Sequence, residues 1–340
     1  MKHVFIINSH TTFLTVCGTI NYLHLDSSEI ILLKIRNYKE PQNPFKYRVL
    51  NITSLDEDFK KNVYKSYNDR QRVIKELDNF IEESVKDAFV FYAPHFASVL
   101  FQCFYTNPHC LEAAFVQEGA VPQRNAFVYD SLFKIRLKHY IYDKLYLRNN
   151  RIWTTHYWYL KDFFVKQNKV ESYSINPFFF KYLPSHNNII TWPSIDLGIK
   201  IFRDSIIFVF DGFVGNCMVE RDYYMKVCEK LIKINAGLSN YIKFHPAQDA
   251  SERHLIISFF ENNNYSYDVL DDSIPVELII SSYNHLTFVG FSSSLLYFAY
   301  SYHHNVISEN KWLLESPLYN SYLEQYGVSI FEENLKLLQN

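Results

Sequence analysis

Residues 88–116 read AFVFYAPHFASVLFQCFYTNPHCLEAAFV. Two unbroken apolar runs, Ala88–Tyr92 and Ala113–Val116, flank a segment of helical character, His95–Tyr105. A strand that is apolar on both faces is covered on both faces, so this stretch reads as a strand–helix–strand unit of a parallel sheet. The same rhythm extends outward. Val4–Ile7, Glu29–Ile35 and Tyr47–Ile52 read as strands, and Phe13–Leu25 and Arg70–Val85 as helices. In the second helix Val73, Ile74, Leu77, Phe80 and Ile81 recur at steps of three and four.

The alternation then pauses. Asp130–Lys169, rich in Tyr, Lys, Arg and Trp, reads as one or two helices, and Asn176–Asn188, with Pro177 and Pro184, reads as a connector. It restarts with strands at Ile206–Phe210, Tyr241–Phe244, Tyr267–Leu270, Leu286–Phe291 and Val306–Ile307. Helices are expected at Arg221–Ile234, Glu252–Phe260, Pro275–Ser281, Ser292–Tyr302 and Trp312–Tyr326. The expected architecture is therefore two α/β, Rossmann-like halves, residues 1–190 and 191–340, joined near 185–203 and facing each other across a central cleft. The last helix is placed to pack back on the first half. In open α/β sheets ligands bind beyond the carboxyl ends of the strands.

Composition narrows the function. Lys+Arg 34 against Asp+Glu 36 gives a net charge of −2 over 340 residues, which argues against a nucleic-acid partner. Gly 8 in 340 is far below the usual share of roughly 7%, and neither GxGxxG nor GxxxxGK[ST] occurs. Five scattered cysteines form no CxxC pair, so reduced thiols are expected, not a disulfide frame or a zinc site. No apolar stretch approaches the length of a membrane span, and Val4–Ile7 is too short for a signal-peptide core.

The chemistry-bearing residues sit just past the apolar strands: Asn8-Ser9-His10, Gln117-Glu118-Gly119, Asp211-Gly212, His245-Pro246 and Ser292-Ser293-Ser294. Glu118, on a sharp turn, suits a general base, with turn chemistry or an ion pair as the plainer reading. Asp211 is the other acid–glycine pair and competes for that role. A histidine at His245 suits a phosphate, because its ordinary pKa lies near neutrality. The three serines open a helix, where free N–H groups and the dipole favour an anion; capping alone is the plainer reading. Glu277 at a helix start suits a pair of ribose hydroxyls or simply the dipole. Asp268, Asp271 and Asp272 read as turn chemistry, not a metal cluster. The basic aromatic stretch of Arg136, Lys138, Lys144, Arg148 and Arg151 with Tyr140, Tyr142, Tyr146 and Trp153 reads as a solvated helix face, or as a contact with an anionic membrane surface.

Taken in order, Gln117-Glu118-Gly119, His245-Pro246 and Ser292-Ser293-Ser294 resemble the short motifs of the bacterial sialyltransferases and polysialyltransferases of the GT-B fold. That family carries an acidic pair before the glycine; here the first position is Gln117, which leaves Glu118 alone to carry the base role. The resemblance implies an inverting, single-displacement transfer of N-acetylneuraminate from its CMP donor to a hydroxyl of a terminal sugar, galactose by expectation. The acceptor would be a glycan or glycolipid of the bacterial surface: lipooligosaccharide, O-antigen or capsule. Glu118 would deprotonate the acceptor. His245 and Pro246, Ser292–Ser294, Asp211 and Gly212 would bind the leaving CMP, and Glu277 its ribose. Asn8, Ser9, His10, Gln117 and Gly119 would line the donor-sugar and acceptor side. Domain closure would exclude water. No metal and no cofactor beyond the donor substrate is implied.

Two other readings stand beside it. One is a transferase of the same fold using CMP-Kdo or another nucleotide sugar. The other is a noncatalytic sugar-nucleotide or glycan-binding protein, to which Gln117 lends weight. The expected location is the cytoplasm, with a peripheral contact at the inner face of the membrane.

Overall fold

The computed structural model of the chain describes residues 1–36, 38, 47–96, 98–119, 141, 151–152, 170–177, 179–180, 185–195 and 198–326. The chain divides into two units, Met1–Trp192 and Pro193–Asn340.

The first unit carries a seven-stranded sheet: β1 Lys2–Ile7, β2 Ile30–Lys34, β3 Arg48–Asn51, β4 Phe89–Ala93, β5 Cys110–Val116, β6 Val170–Ser174 and β7 Ser185–Ile189, in the order β3-β2-β1-β4-β5-β6-β7. Every pairing is parallel. Among the described residues its α-helices are α1 His10–Tyr22, α2 Thr53–Asn62, α3 Tyr67–Ser84 and α4 Val99–Tyr105. Ser9 starts α1: its backbone is extended and its hydroxyl accepts from the Thr12 amide at 3.2 Å. Ser66 starts α3 in the same way through the Asp69 amide. β4 is buried at all five positions, and Phe91 stacks on Phe104 of α4 with ring centroids 4.9 Å apart. Gly18 lets α1 lie close to the strand-following segment, since a Cβ there would meet the Thr191 carbonyl oxygen at 2.6 Å.

The second unit carries β8 Ile206–Val209, α5 Arg221–Asn235, β9 Asn240–Lys243, α6 Ala250–Asn262, β10 Asp268–Val269, α7 Val276–Ser282, β11 Thr287–Gly290, α8 Ser294–Ser301, β12 Asn305–Ser308, α9 Asn310–Leu313 and α10 Pro317–Tyr326. The sheet order is β10-β9-β8-β11-β12, again wholly parallel. Each sheet thus reverses direction beside its first strand, at β1/β4 and at β8/β11. Such a switch point opens a crevice at the carboxyl ends of the strands.

Four expectations change. The segment Thr53–Asn62 is a helix not anticipated from its weak apolar pattern; Phe59 is its buried anchor. Val170–Ser174 and Ser185–Ile189 are strands, although the second was read as connector. SHNNI lacks an apolar run because β7 is an edge strand, held through one neighbour. The first helix after β4 begins at Val99, not His95, which leaves His95 on the strand-end loop. The expected terminal helix is two short ones, α9 and α10, broken before Pro317, and Tyr319 packs on Phe213 of the same unit. The basic aromatic stretch lies outside the described residues except for Arg151. Its guanidinium is turned inward, paired with Asp78 and donating to the Cys103 carbonyl at 2.7 Å.

Candidate functional site

In the first unit, four strand ends bring side chains together around Glu118. Asn8 follows β1; its Oδ1 accepts from the Thr12 hydroxyl at 2.8 Å, which orients its amide so that Nδ2 donates to Glu118 Oε1 at 2.6 Å. Arg36 follows β2 and meets the same oxygen at 3.2 Å. Its backbone is left-handed (φ 59°), a conformation that costs a non-glycine residue about 1 kcal/mol or more. His95 follows β4, with Nε2 3.7 Å from Glu118 Oε2, too far for a hydrogen bond. Burial, and then the Arg36 charge, push the His95 imidazole down to about 4, so it is neutral near pH 7. One carboxylate oxygen is therefore fixed by Asn8 and Arg36, while among the described residues Oε2 faces only the more distant His95 ring.

The other expected residues of this strand-end group have distinct roles. Ser9 caps α1, and His10 Nδ1 lies 3.1 Å from the buried Tyr38 hydroxyl. Gly119 adopts φ 83°, which turns the chain directly after Glu118. Gln117, expected to face a substrate, is turned inward instead. Its side chain is buried, accepts from the Ile175 amide at 3.0 Å and donates to the Gly119 carbonyl at 2.9 Å, so it braces the turn. Arg36 and His95 escaped the sequence reading. Both lie just past apolar strands, the signal that picked out Glu118; His95 was absorbed into a helix that starts four residues later.

In the second unit, the chain leaves β9 through Phe244 into His245-Pro246. The Gln248 amide bonds back to the His245 carbonyl at 3.0 Å, closing a turn with proline in its second place. Ala247 N–H donates to His245 Nδ1 at 3.0 Å, which puts the imidazole hydrogen on Nε2. Burial first, and Arg253 second, lower the pKa of His245. Gly212 makes room for this ring: a Cβ there would meet His245 Nδ1 at 2.5 Å and Ala247 Cβ at 2.9 Å.

Beside it, Asp211, two residues past β8, is buried, and its Oδ2 has no hydrogen-bond partner among the described residues. Burial, only partly offset by the nearby Ser292 and Ser293, pushes its carboxyl up to about 7. Ser293 is also the cap of α8, accepting from the Leu295 amide, and Ser294 is the first helical residue. Glu277 stands in the first turn of α7, whose cap is Pro275. Lys243, the last residue of β9 and missed by the sequence reading, donates to the carbonyls of Asp271 and Ile274 at 2.8 and 2.9 Å and so ties down the loop that leads to Glu277. Burial lowers its pKa against the pull of Asp272, Glu277 and Asp271. Asp271 accepts from the Ser273 amide, the turn chemistry expected of it. Among the described residues, no group of three or more His, Cys, Asp or Glu could hold a metal ion, and no helix is long and apolar enough to cross a membrane.

No protein-family model and no curated protein matches this chain by sequence. Solved structures do match in shape. A sialyltransferase from Photobacterium damsela is 14% identical, with a TM-score of 0.52 over 97% of this chain and 80% of that one. A putative UDP-N-acetylglucosamine 2-epimerase from Listeria monocytogenes is 11% identical, with a TM-score of 0.49 over 100% of this chain and 88% of that one. The chain has a two-domain α/β fold of the GT-B type. At these identities the likeness concerns the fold alone.

Proposed function

We propose that this protein is an inverting glycosyltransferase that moves sialic acid from CMP-sialic acid to a sugar hydroxyl of a bacterial surface glycan. The observation that carries the reading is the fate of Glu118. It ends an apolar strand, is clamped at one oxygen by Asn8 and Arg36, and among the described residues its other oxygen carries no such clamp. That is the arrangement a general base needs, since a base must be held in place yet able to receive a proton. The likeness in fold to a sialyltransferase supports the choice of reaction.

In this reading Glu118 Oε2 takes the acceptor proton as the hydroxyl attacks the anomeric carbon and the bond to the CMP phosphate breaks. The neutral His245 offers Nε2–H to the departing phosphate, and the Ser292–Ser294 turn adds backbone and hydroxyl donors. Glu277 accepts from the ribose. The acceptor is a glycan or glycolipid, reached at the inner face of the cytoplasmic membrane, and the reaction asks for no metal.

The test is a panel of sugar nucleotides incubated with the full chain, with and without galactose-terminated acceptors. Turnover of CMP-sialic acid, insensitive to a chelator, is expected. Turnover of CMP-Kdo or a nucleoside-diphosphate sugar in its place would transfer the reading to another donor of the same fold. Binding of CMP without any turnover would make the protein a noncatalytic sugar-nucleotide binder.

A further inference from the structure

We propose that Arg253 is a positioning residue: its guanidinium ties the His245–Gln248 turn to the loop before α7, so that one nucleotide meets His245 at its phosphate and Glu277 at its ribose. The proposal rests on reading those two residues as the donor's contacts. Each guanidinium nitrogen has its own partner. Nε donates to the Gln248 carbonyl and Nη2 to the His245 carbonyl, both at 3.3 Å, while Nη1 donates to Asp272 Oδ2 at 2.8 Å. Two arms grip the turn and the third grips the loop. A planar fork can serve both sides at once; a single ammonium cannot. The guanidinium carbon also stands 5.2 Å from the centroid of the Phe244 ring, which holds the group over the residue that leads into the turn.

Both bodies that Arg253 joins are firm in themselves. Arg253 leaves the first turn of α6, where Asp249 accepts from the Glu252 amide at 2.8 Å and the Arg253 amide bonds to the Asp249 carbonyl at 3.1 Å. The turn is closed twice: the Gln248 amide bonds to the His245 carbonyl at 3.0 Å, and Gln248 Oε1 accepts from the His245 amide at 2.9 Å. The loop is closed by Lys243, which holds the Asp271 and Ile274 carbonyls. Ile274 precedes Pro275, the cap of α7, and Glu277 stands in the first turn of that helix. The spacing of Glu277 from His245 therefore depends on what links loop to turn, and the Asp272–Arg253 arm is such a link. An exposed Arg–Asp pair alone contributes little to stability. Here two carbonyl bonds and the Phe244 contact fix the guanidinium, so the loop is drawn to a set place. In a nucleotide monophosphate the phosphate and the ribose hydroxyls have a limited span, and a site already held at that span binds without ordering its loops.

The experiment is calorimetric titration of the full chain with CMP, cytidine and 2′-deoxy-CMP. The preference for CMP over cytidine reads the phosphate contact, and the preference for CMP over 2′-deoxy-CMP reads the ribose contact. Wild type is expected to show each at about tenfold or more, the worth of a hydrogen bond to a charged group. Arg253→Met keeps a stem on Phe244 and removes every donor, so both preferences should fall several-fold. Arg253→Lys keeps the charge and the reach to Asp272 but not the grip on two carbonyls; the phosphate preference should fall and the ribose preference stay. Asp272→Ala, at an exposed position, should do the reverse. Ratios are the readout because partial unfolding lowers affinity for all three ligands alike and leaves the ratios unmoved. A pure charge effect would spare Arg253→Lys, so wild-type ratios in that variant overturn the proposal, as do unchanged ratios in Arg253→Met or Asp272→Ala. If wild type binds no CMP, the donor reading fails, and UDP, uridine and 2′-deoxy-UDP are titrated in their place. The same pattern of ratios then upholds Arg253 as the link, and any other pattern, or no binding, overturns it.

Discussion

Asn8 Nδ2 donates to Glu118 Oε1 at 2.6 Å, joining the ends of β1 and β5 through side chains 110 residues apart. The Thr12 hydroxyl fixes the asparagine amide, so the donor faces the carboxylate and not the reverse. The relationship separates two effects that mutation can read. Glu118→Gln removes the proton acceptor and is expected to lower transfer by about 10²–10⁴-fold. CMP affinity should be unchanged, because the nucleotide is assigned to residues of the other unit. Asn8→Ala keeps the base but loosens it, and should lower kcat by a smaller factor with KM for the donor unaltered. Equal activity in Glu118→Gln and wild type, measured by radiolabelled sugar transfer, would dismiss Glu118 as the base.

His95 makes a prediction about stability. Its folded-state value of about 4 lies below the ordinary 6.5. Between these values the unfolded chain binds a proton that the native chain refuses, so stability is lost as pH falls from about 6.5 towards 4 and is flat below. The buried Asp211 works in the opposite direction, since its raised value makes the native chain hold a proton up to about pH 7. The wild-type slope alone is therefore uninformative. The difference between wild type and His95→Asn is the quantity to measure, by urea unfolding at pH 7 and pH 5. The pH-dependent part carried by His95 between pH 7 and pH 5 should be of the order of 2 kcal/mol. Superimposable pH profiles for the two proteins would show that the imidazole is not held neutral.

The parallel sheets were legible because their strands are buried on both faces. FVFYA and IIFV admit no amphipathic alternative, and short polar segments sit where such strands end. That same rule exposed Asn8, Glu118, Asp211 and His245. It failed at β7, where SHNNI pairs on one side only and satisfies itself through polar side chains such as Asn188, bonded to Glu171. It failed again at His95, because HFASVLFQCFY has a helical pattern throughout and only tertiary packing places the start at Val99. The charge states of Asp211 and His95 were beyond the sequence for a different reason. Both follow from burial by residues far away along the chain, which no local pattern records.

Gly119 is required by its backbone: φ is 83°, and among the described residues nothing approaches within 4 Å of where a Cβ would stand. Gly119→Ala should therefore cost about 1–2 kcal/mol through conformation alone. Gly119→Asn should cost less, since asparagine tolerates the left-handed region. Because Gln117 donates to the Gly119 carbonyl, any relaxation of this turn should also reach Glu118. The expected order of thermal stability and of transfer activity is Gly, Asn, Ala. An alanine variant as stable as wild type would mean that the turn after Glu118 is not held in the left-handed conformation.

Gly212 presents the opposite case, in which space and not conformation decides. An added Cβ would meet His245 Nδ1 at 2.5 Å and the Ala247 Cβ at 2.9 Å, so the His-Pro turn must move. The ring cannot simply swing away without breaking the bond from the Ala247 amide that fixes its tautomer. Overpacking of this kind typically costs about 1–3 kcal/mol. Part of that should appear as lost CMP affinity, about tenfold or more, because the displaced group is the one assigned to the phosphate. His245→Asn in the Gly212→Ala background discriminates between the two routes of damage. If the glycine acts through the ring, the second substitution should cause little further loss of affinity. If the losses multiply, Gly212 and His245 act independently, and the close packing of the two strand-end loops is not what positions the imidazole.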